Sequence, residues 1–204
     1  MDTNTILRVT HNVHKMLQNR GHNTSNINTS TPVIYMNKII DSFREGSNGL
    51  DIHIDDPSGK KAYVHYIFKM GNPKKSGELE KMYNLLSSSH QLHKNDEIVF
   101  VIFHDINEEI QDLENKYQNL TIFTYKRLLF NLIDHEYVPK HSRLTAKEKS
   151  ELLQILMISD YNKLPILPKT DAVSRYYNFK AGDVIKVERP SKGNMKHIAY
   201  RYVV

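Results

Sequence analysis

The sequence predicts two folded parts, a three-layer α/β domain over residues 1–134 and a small α+β domain over residues 135–204. Three observations carry this. Helical and strand periodicities alternate through the first two thirds of the chain, as they do in a layered α/β domain. The run Ile98-Val99-Phe100-Val101-Ile102-Phe103 has no polar alternation, which is what a central strand covered on both faces requires. The charge also changes where the pattern does: residues 1–134 hold 15 Lys/Arg against 16 Asp/Glu, and residues 135–204 hold 13 against 7.

In the first part, Ile6, Val9, Val13 and Leu17 recur at helical spacing, and Gly21 stands where a helix C-cap belongs. Thr31-Pro32 reads as a helix start, Thr as N-cap and Pro in the first turn, followed by the stripe Val33, Met36, Ile40 and Phe43. Leu50-Asp51-Ile52-His53-Ile54 alternates with period two and predicts a half-buried strand. The turn chemistry of Asp56-Pro57-Ser58-Gly59 joins it to a second strand over 62–68, so the pair forms a hairpin. Residues 76–88 read as a helix, as do 107–117 and 125–132, with a short strand at 120–123 between the last two.

The second part opens at His135. Thr145-Ala146-Lys147-Glu148 is a capping box that starts a helix through about Met157. Leu164-Pro165-Ile166-Leu167-Pro168 must be extended, because each Pro restricts itself and its predecessor. A short helix at 171–177 leads to a turn at Asn178. Ile185 and Val187 then point away from Lys186 and Glu188, and Pro190 to Asn194 turn a hairpin. The last strand sets Ile198, Tyr200, Tyr202 and Val204 on one face, which is expected to be the inner one.

Several function classes drop out. The chain has no cysteine, so disulfides, thiolate zinc sites and cysteine nucleophiles are excluded together. No run of about eighteen apolar residues is available for a membrane span. Met1-Asp2-Thr3-Asn4-Thr5 lacks the basic start of a secretory signal, so the chain is expected to be intracellular. His11/His14 and His90/His93 have a spacing at which two imidazoles can share an ion. Without further ligands, no metal and no cofactor is expected. A metal-dependent nuclease would need Asp51 to face an acidic-x-Lys triplet on the next strand. Val64-His65-Tyr66-Ile67-Phe68-Lys69 offers Tyr66 or Ile67 where the acid belongs, so no catalytic residue is expected. The basic C-terminal third points to an acidic protein surface or to nucleic acid.

The C-terminal seventy residues hold five pieces in order: His135-Glu136-Tyr137-Val138-Pro139-Lys140-His141, Leu164-Pro165, Asp171-Ala172-Val173-Ser174-Arg175-Tyr176, Lys180-Ala181-Gly182-Asp183, and Arg189-Pro190-Ser191 with Ala199-Tyr200-Arg201-Tyr202. In this order they resemble the small subunit shared by eukaryotic nuclear RNA polymerases, whose C-terminal half alone forms the archaeal counterpart. The resemblance implies an assembly domain over 135–204 that docks on the largest polymerase subunit. It also implies an N-terminal jaw domain over 1–134, with a restriction-endonuclease-like core and no active site, reaching toward the downstream DNA duplex. Other polymerase subunits would complete the partners, and the chain would not be a homo-oligomer. A stand-alone nucleic-acid enzyme and a free transcription-factor-binding module are the readings it displaces.

The residues carried over as partner interface are His135, Val138, Pro139, His141, Arg175, Tyr176, Lys180, Gly182, Arg189, Pro190 and Arg201. Several also have a plain structural reading. Val138-Pro139 fixes an extended entry into the domain, Gly182 serves a turn that needs positive φ, and Tyr200 alternates as a core strand does. The cations Arg175, Lys180, Arg189 and Arg201 are the stronger interface candidates.

Three departures stand out: Asp171-Ala172 where the family often has Asp-Pro, Asn178 where it commonly has Gly, and Lys147-Glu148 where it has an acidic pair. With nineteen Ile and eighteen Asn against five Ala, they point to a divergent member, such as the polymerase of a large DNA virus. A cellular member would work in the nucleus, a viral one in the host cytoplasm and virion.

Overall fold

Residues 3–25, 49–55, 59–68, 76–93, 96–103, 108–190 and 196–204 are described by the structure, a computed structural model. The chain divides into two compact units, residues 1–130 and 131–204. The helix read from Thr31-Pro32, the turn residues Asp56 to Ser58 and the hairpin tip Ser191 to Asn194 lie outside the described residues.

The first unit is organised by one sheet. Its strands are β1 (Ile52–Asp55), β2 (Lys61–Ile67), β3 (Glu97–Ile102) and β4 (Leu120–Thr124), adjacent in that order. β1 and β2 pair antiparallel, while β2–β3 and β3–β4 pair parallel. β3 therefore lies inside the sheet, and all six of its residues are buried, which is why its sequence shows no alternation. Tyr63, Ile67, Ile98, Phe100, Ile102, Leu120 and Ile122 share one face. Leu79, Tyr83 and Leu86 of the helix Ser76–Ser89, with Ile110 and Leu113 of the helix Glu108–Lys116, pack on that face.

The opposite face meets the end of the first helix, Thr3–Asn19, which buries Ile6, Val9, Val13, Met16 and Leu17. Just past that helix, Arg20 pairs with the buried Glu97 of β3 and lies 5.9 Å over the Phe123 ring of β4. His22 reaches the same carboxylate at 3.0 Å. A carboxylate this deep in a sheet requires such partners. The helix expected over 125–132 is instead two 3-10 turns, Tyr125–Leu128 and Leu132–Asp134. Thr124 gives no side-chain cap, and Asn131, with ψ 109°, takes extended backbone between the two turns.

The second unit is a sheet of β5 (Lys140–Arg143), β7 (Val184–Pro190), β8 (Lys196–Val203) and β6 (Ile166–Leu167), adjacent in the order β5-β7-β8-β6. β5–β7 and β7–β8 are antiparallel, and β6–β8 is parallel. It has a core on each face. Ile185, Val187, Ala199, Val203 and Leu167 pack against Val173, Tyr177 and Phe179. Val184, Tyr200 and Tyr202 pack with Leu144, Leu152, Leu164 and Ile158.

This corrects the reading of β8 as having a single inner face. Val203 is fully buried from the side opposite Tyr200, while Ile198 and Val204 are exposed. Both faces carry a layer because the short helix Ala172–Tyr177 covers one and Ala146–Leu156 the other.

Local chemistry fixes the ends of these helices. Thr145 and Glu148 form the full capping box. Asp171 caps the helix Ala172–Tyr177 through Val173 N at 2.8 Å and Ser174 N at 3.4 Å, so a Pro at 172 is not needed to start it. Asn178 ends that helix at φ 53°, the left-handed backbone that Asn tolerates after Gly. No helix among the described residues is long and apolar enough to cross a membrane.

Candidate partner interface

Register decides which side chains share a face of the second sheet. His141 of β5 lies opposite Val187, and Val187 lies opposite Ala199. Arg189, two residues on from Val187, and Arg201, two on from Ala199, project from the same face. His197 stands opposite Arg189. One face therefore carries His141, Arg189, His197 and Arg201 around the edge of the apolar patch that the helix Ala172–Tyr177 covers. On the other face Lys186 pairs with Glu188 at 3.0 Å.

The electrostatics of this face are uneven. Burial holds the His141 imidazole below its usual range. Its hydrogen bond to the Pro139 carbonyl (2.7 Å) and the nearby Asp171 work against that, and Arg201 and Arg189 add to it. Asp171 is already engaged as a helix cap. Arg189 is exposed, and Arg201 donates to the Ile166 carbonyl at 3.3 Å; among the described residues neither meets a carboxylate.

The remaining candidates separate by position. His135 is exposed in the entry turn, where its carbonyl accepts from Val138 N at 2.9 Å and its ring lies 5.6 Å from that of Tyr137. Val138 and Pro139 are half-buried. Tyr176 is buried against Tyr177, and Arg175 is half-buried with partners inside the fold. The backbone N–H of Lys180 donates to Asp183 Oδ2 at 2.8 Å. Gly182 takes φ +89°, its carbonyl accepting from Lys149 Nζ at 2.9 Å and its N–H donating to Val203. Pro190 ends β7 opposite Lys196. The structure thus brings His141, Arg189 and Arg201 together, and turns Tyr176 and Gly182 inward to the fold.

Some exposed groups were not singled out from the sequence. Met157 is 93% exposed, Tyr137 82% and Ile155 74%. Ile155, Leu156 and Met157 follow each other at the end of a helix, so which of them faces out depends on the helix phase and on the left-handed turn at Met157 (φ 51°). The signal available was a helix ending on three apolar residues with no Gly to cap it.

Asp51, the one carboxylate weighed for metal chemistry, is held by three donors. Tyr63 OH approaches Oδ2 at 2.8 Å, His65 Nδ1 at 2.7 Å, and the Tyr66 N–H reaches Oδ1 at 3.1 Å. Burial, together with the Asp51 charge, pushes the Tyr63 hydroxyl well above its usual pKa. The His11/His14 pair is also local: His14 Nε2 lies 3.0 Å from Gln18 Nε2. His90 packs against the Tyr63 ring at 4.5 Å and His53 at 5.2 Å. Among the described residues no three His, Cys, Asp or Glu are grouped to hold a metal ion.

Residues 130–203 match the family described as RNA polymerase Rpb5, C-terminal domain. The chain is similar to a Caenorhabditis elegans protein named DNA-directed RNA polymerases I, II, and III subunit RPABC1, 39% identical over 97 residues, or 48% of this chain and 45% of that one. A Dictyostelium discoideum protein of the same description is 38% identical over 91 residues, 45% of this chain and 46% of that one. DNA-directed RNA polymerase V subunit 5A of Arabidopsis thaliana is 33% identical over 100 residues, 49% of this chain and 45% of that one. The chain spans about half the length of the curated relatives it matches.

Proposed function

We propose that the chain is a non-catalytic structural subunit of a multisubunit DNA-directed RNA polymerase, since its residues 130–203 match the family of the Rpb5 C-terminal domain. The observation that carries this is the family match over residues 130–203, which cover almost all of the second compact unit. In this reading residues 135–204 dock on the largest polymerase subunit and contact its neighbours. Residues 1–134 form a jaw of restriction-endonuclease-like core directed at the downstream duplex.

The pinned state of Asp51 supports the non-catalytic part. A metal-binding carboxylate needs lone pairs directed at an open site, and both Asp51 oxygens already accept hydrogen bonds. The protein then works inside the cell, in the nucleus if cellular, and in the host cytoplasm and virion if it serves a large DNA virus.

Lysine-specific cross-linking of the native complex tests the docking. Lys140, Lys147, Lys163 and Lys169 are exposed in the second unit. They should cross-link to the largest polymerase subunit. Cross-links to that subunit from residues 1–130 alone would reverse the assignment of the two units.

A further inference from the structure

Several imidazoles of the first unit are already engaged: His14 by Gln18, His22 by Glu97 and His65 by Asp51. The rings of His53 and His90 make no hydrogen bond or ion pair among the described residues, and they stand side by side with centroids 5.2 Å apart. Spacing along the chain pairs His90 with His93, but the fold sets it beside His53 of β1. We propose that His53 and His90 form a two-imidazole site for zinc, which clips the edge strand β1 to the end of the helix Ser76–Ser89.

Each ring is placed by its own surroundings. His53 lies directly opposite Tyr63 in the β1–β2 register and so shares its face. Tyr63 is buried, and its hydroxyl donates to Asp51 Oδ2 at 2.8 Å, which fixes the ring as a platform. The His90 ring lies 4.5 Å from that ring and the His53 ring 6.0 Å. His90 is held by the turn that ends its helix. Gln91 takes φ 49°, where Gly is usual, and its N–H donates to the Ser88 carbonyl at 3.4 Å while the Leu92 N–H donates to that of Ser87 at 3.0 Å. Leu92 is buried in the core and anchors the turn. His90 is thus fixed over Tyr63 by left-handed backbone in a residue other than Gly.

The separation of the rings suits a tetrahedral ion. Zinc sits about 2.0–2.1 Å from an imidazole nitrogen, which puts the centroids of two rings around it about 5 Å apart. Zinc takes imidazole readily, whereas magnesium prefers oxygen. The carboxylates two residues to either side of His53 are committed, Asp51 to its three donors and Asp55 to Lys61 Nζ at 3.9 Å. The chain therefore supplies two ligands, and the exposure of His53 leaves the remaining positions to water.

The test uses the untagged full chain, freed of metal by a chelator and titrated with zinc chloride alone. Calorimetry should show saturable binding of a single zinc per chain, with no competition from magnesium. His53→Ala and His90→Ala should each weaken zinc binding at least about tenfold, because one imidazole cannot chelate. His11→Ala/His14→Ala should bind as wild type does. Zinc should raise the melting temperature of wild type and of this control, but not of either site variant. NMR of the wild-type rings keeps the result readable should a variant unfold: the His53 and His90 signals should shift together through the titration. Three results would overturn the proposal: no saturable binding, affinity unchanged in either site variant, or His53 and His90 signals that stay in place while zinc binds elsewhere.

Discussion

His65 Nδ1 stands 2.7 Å from Asp51 Oδ2, and both side chains are more than nine-tenths buried. Asp51 joins the start of β1 to β2 through this contact, through Tyr63 OH and through the Tyr66 N–H. The carboxylate is therefore a tie between strands. Asp51→Ala leaves the Tyr63 hydroxyl and the His65 ring without their acceptor, and should destabilise the first unit by about 3–5 kcal/mol. Urea denaturation followed by circular dichroism measures it. A carboxylate kept for metal chemistry would give the opposite sign, because removing it relieves electrostatic strain.

His141 should titrate below the usual histidine range, since burial is the largest influence on it. The sign of the linkage follows from that. A depressed folded pKa means that the unfolded chain takes up the proton first, so stability is lost as pH falls from the ordinary histidine value, 6.5, toward the lower folded one. Proton NMR of the ring gives the pKa. Stability compared at neutral and mildly acidic pH should show a smaller loss in His141→Gln than in wild type. An equal loss in the two would remove His141 as a source.

Asn178 and Gly182 both hold left-handed backbone, at φ 53° and φ +89°. Asn178→Gly should be close to neutral, whereas Asn178→Val should cost about 1–2 kcal/mol, because a β-branched residue resists this conformation. Gly182→Ala should cost about 1 kcal/mol or more from strain alone, since an added Cβ meets nothing within 4 Å. Thermal melts of the three variants rank these costs. An Asn178→Val protein as stable as wild type would contradict the left-handed assignment.

The readable parts of the sequence were those where local chemistry decides. Thr145 and Glu148 specify their cap within four residues, and Ile98 to Phe103 had to be central because no position in the run is polar. Asn178 could be read as a tolerable replacement for Gly because the left-handed requirement is a property of one residue.

What could not be read depends on distant pairing. The two-sided core of β8 arises because β6 and the helix Ala172–Tyr177 come from elsewhere in the chain, so Val203 is buried while Val204 is not. The convergence of His141, Arg189 and Arg201 needs the register of three strands. Asp51 read as an alternating strand residue, and its donors Tyr63 and His65 sit more than ten positions away.

The most direct measurement is the composition of the complex that the full chain enters. Affinity purification of the tagged protein under mild salt, followed by mass spectrometry with quantification, should recover the largest subunit of a DNA-directed RNA polymerase at close to one copy per chain, along with other polymerase subunits. Recovery of the protein alone, or with partners that include neither large polymerase subunit, would contradict the account.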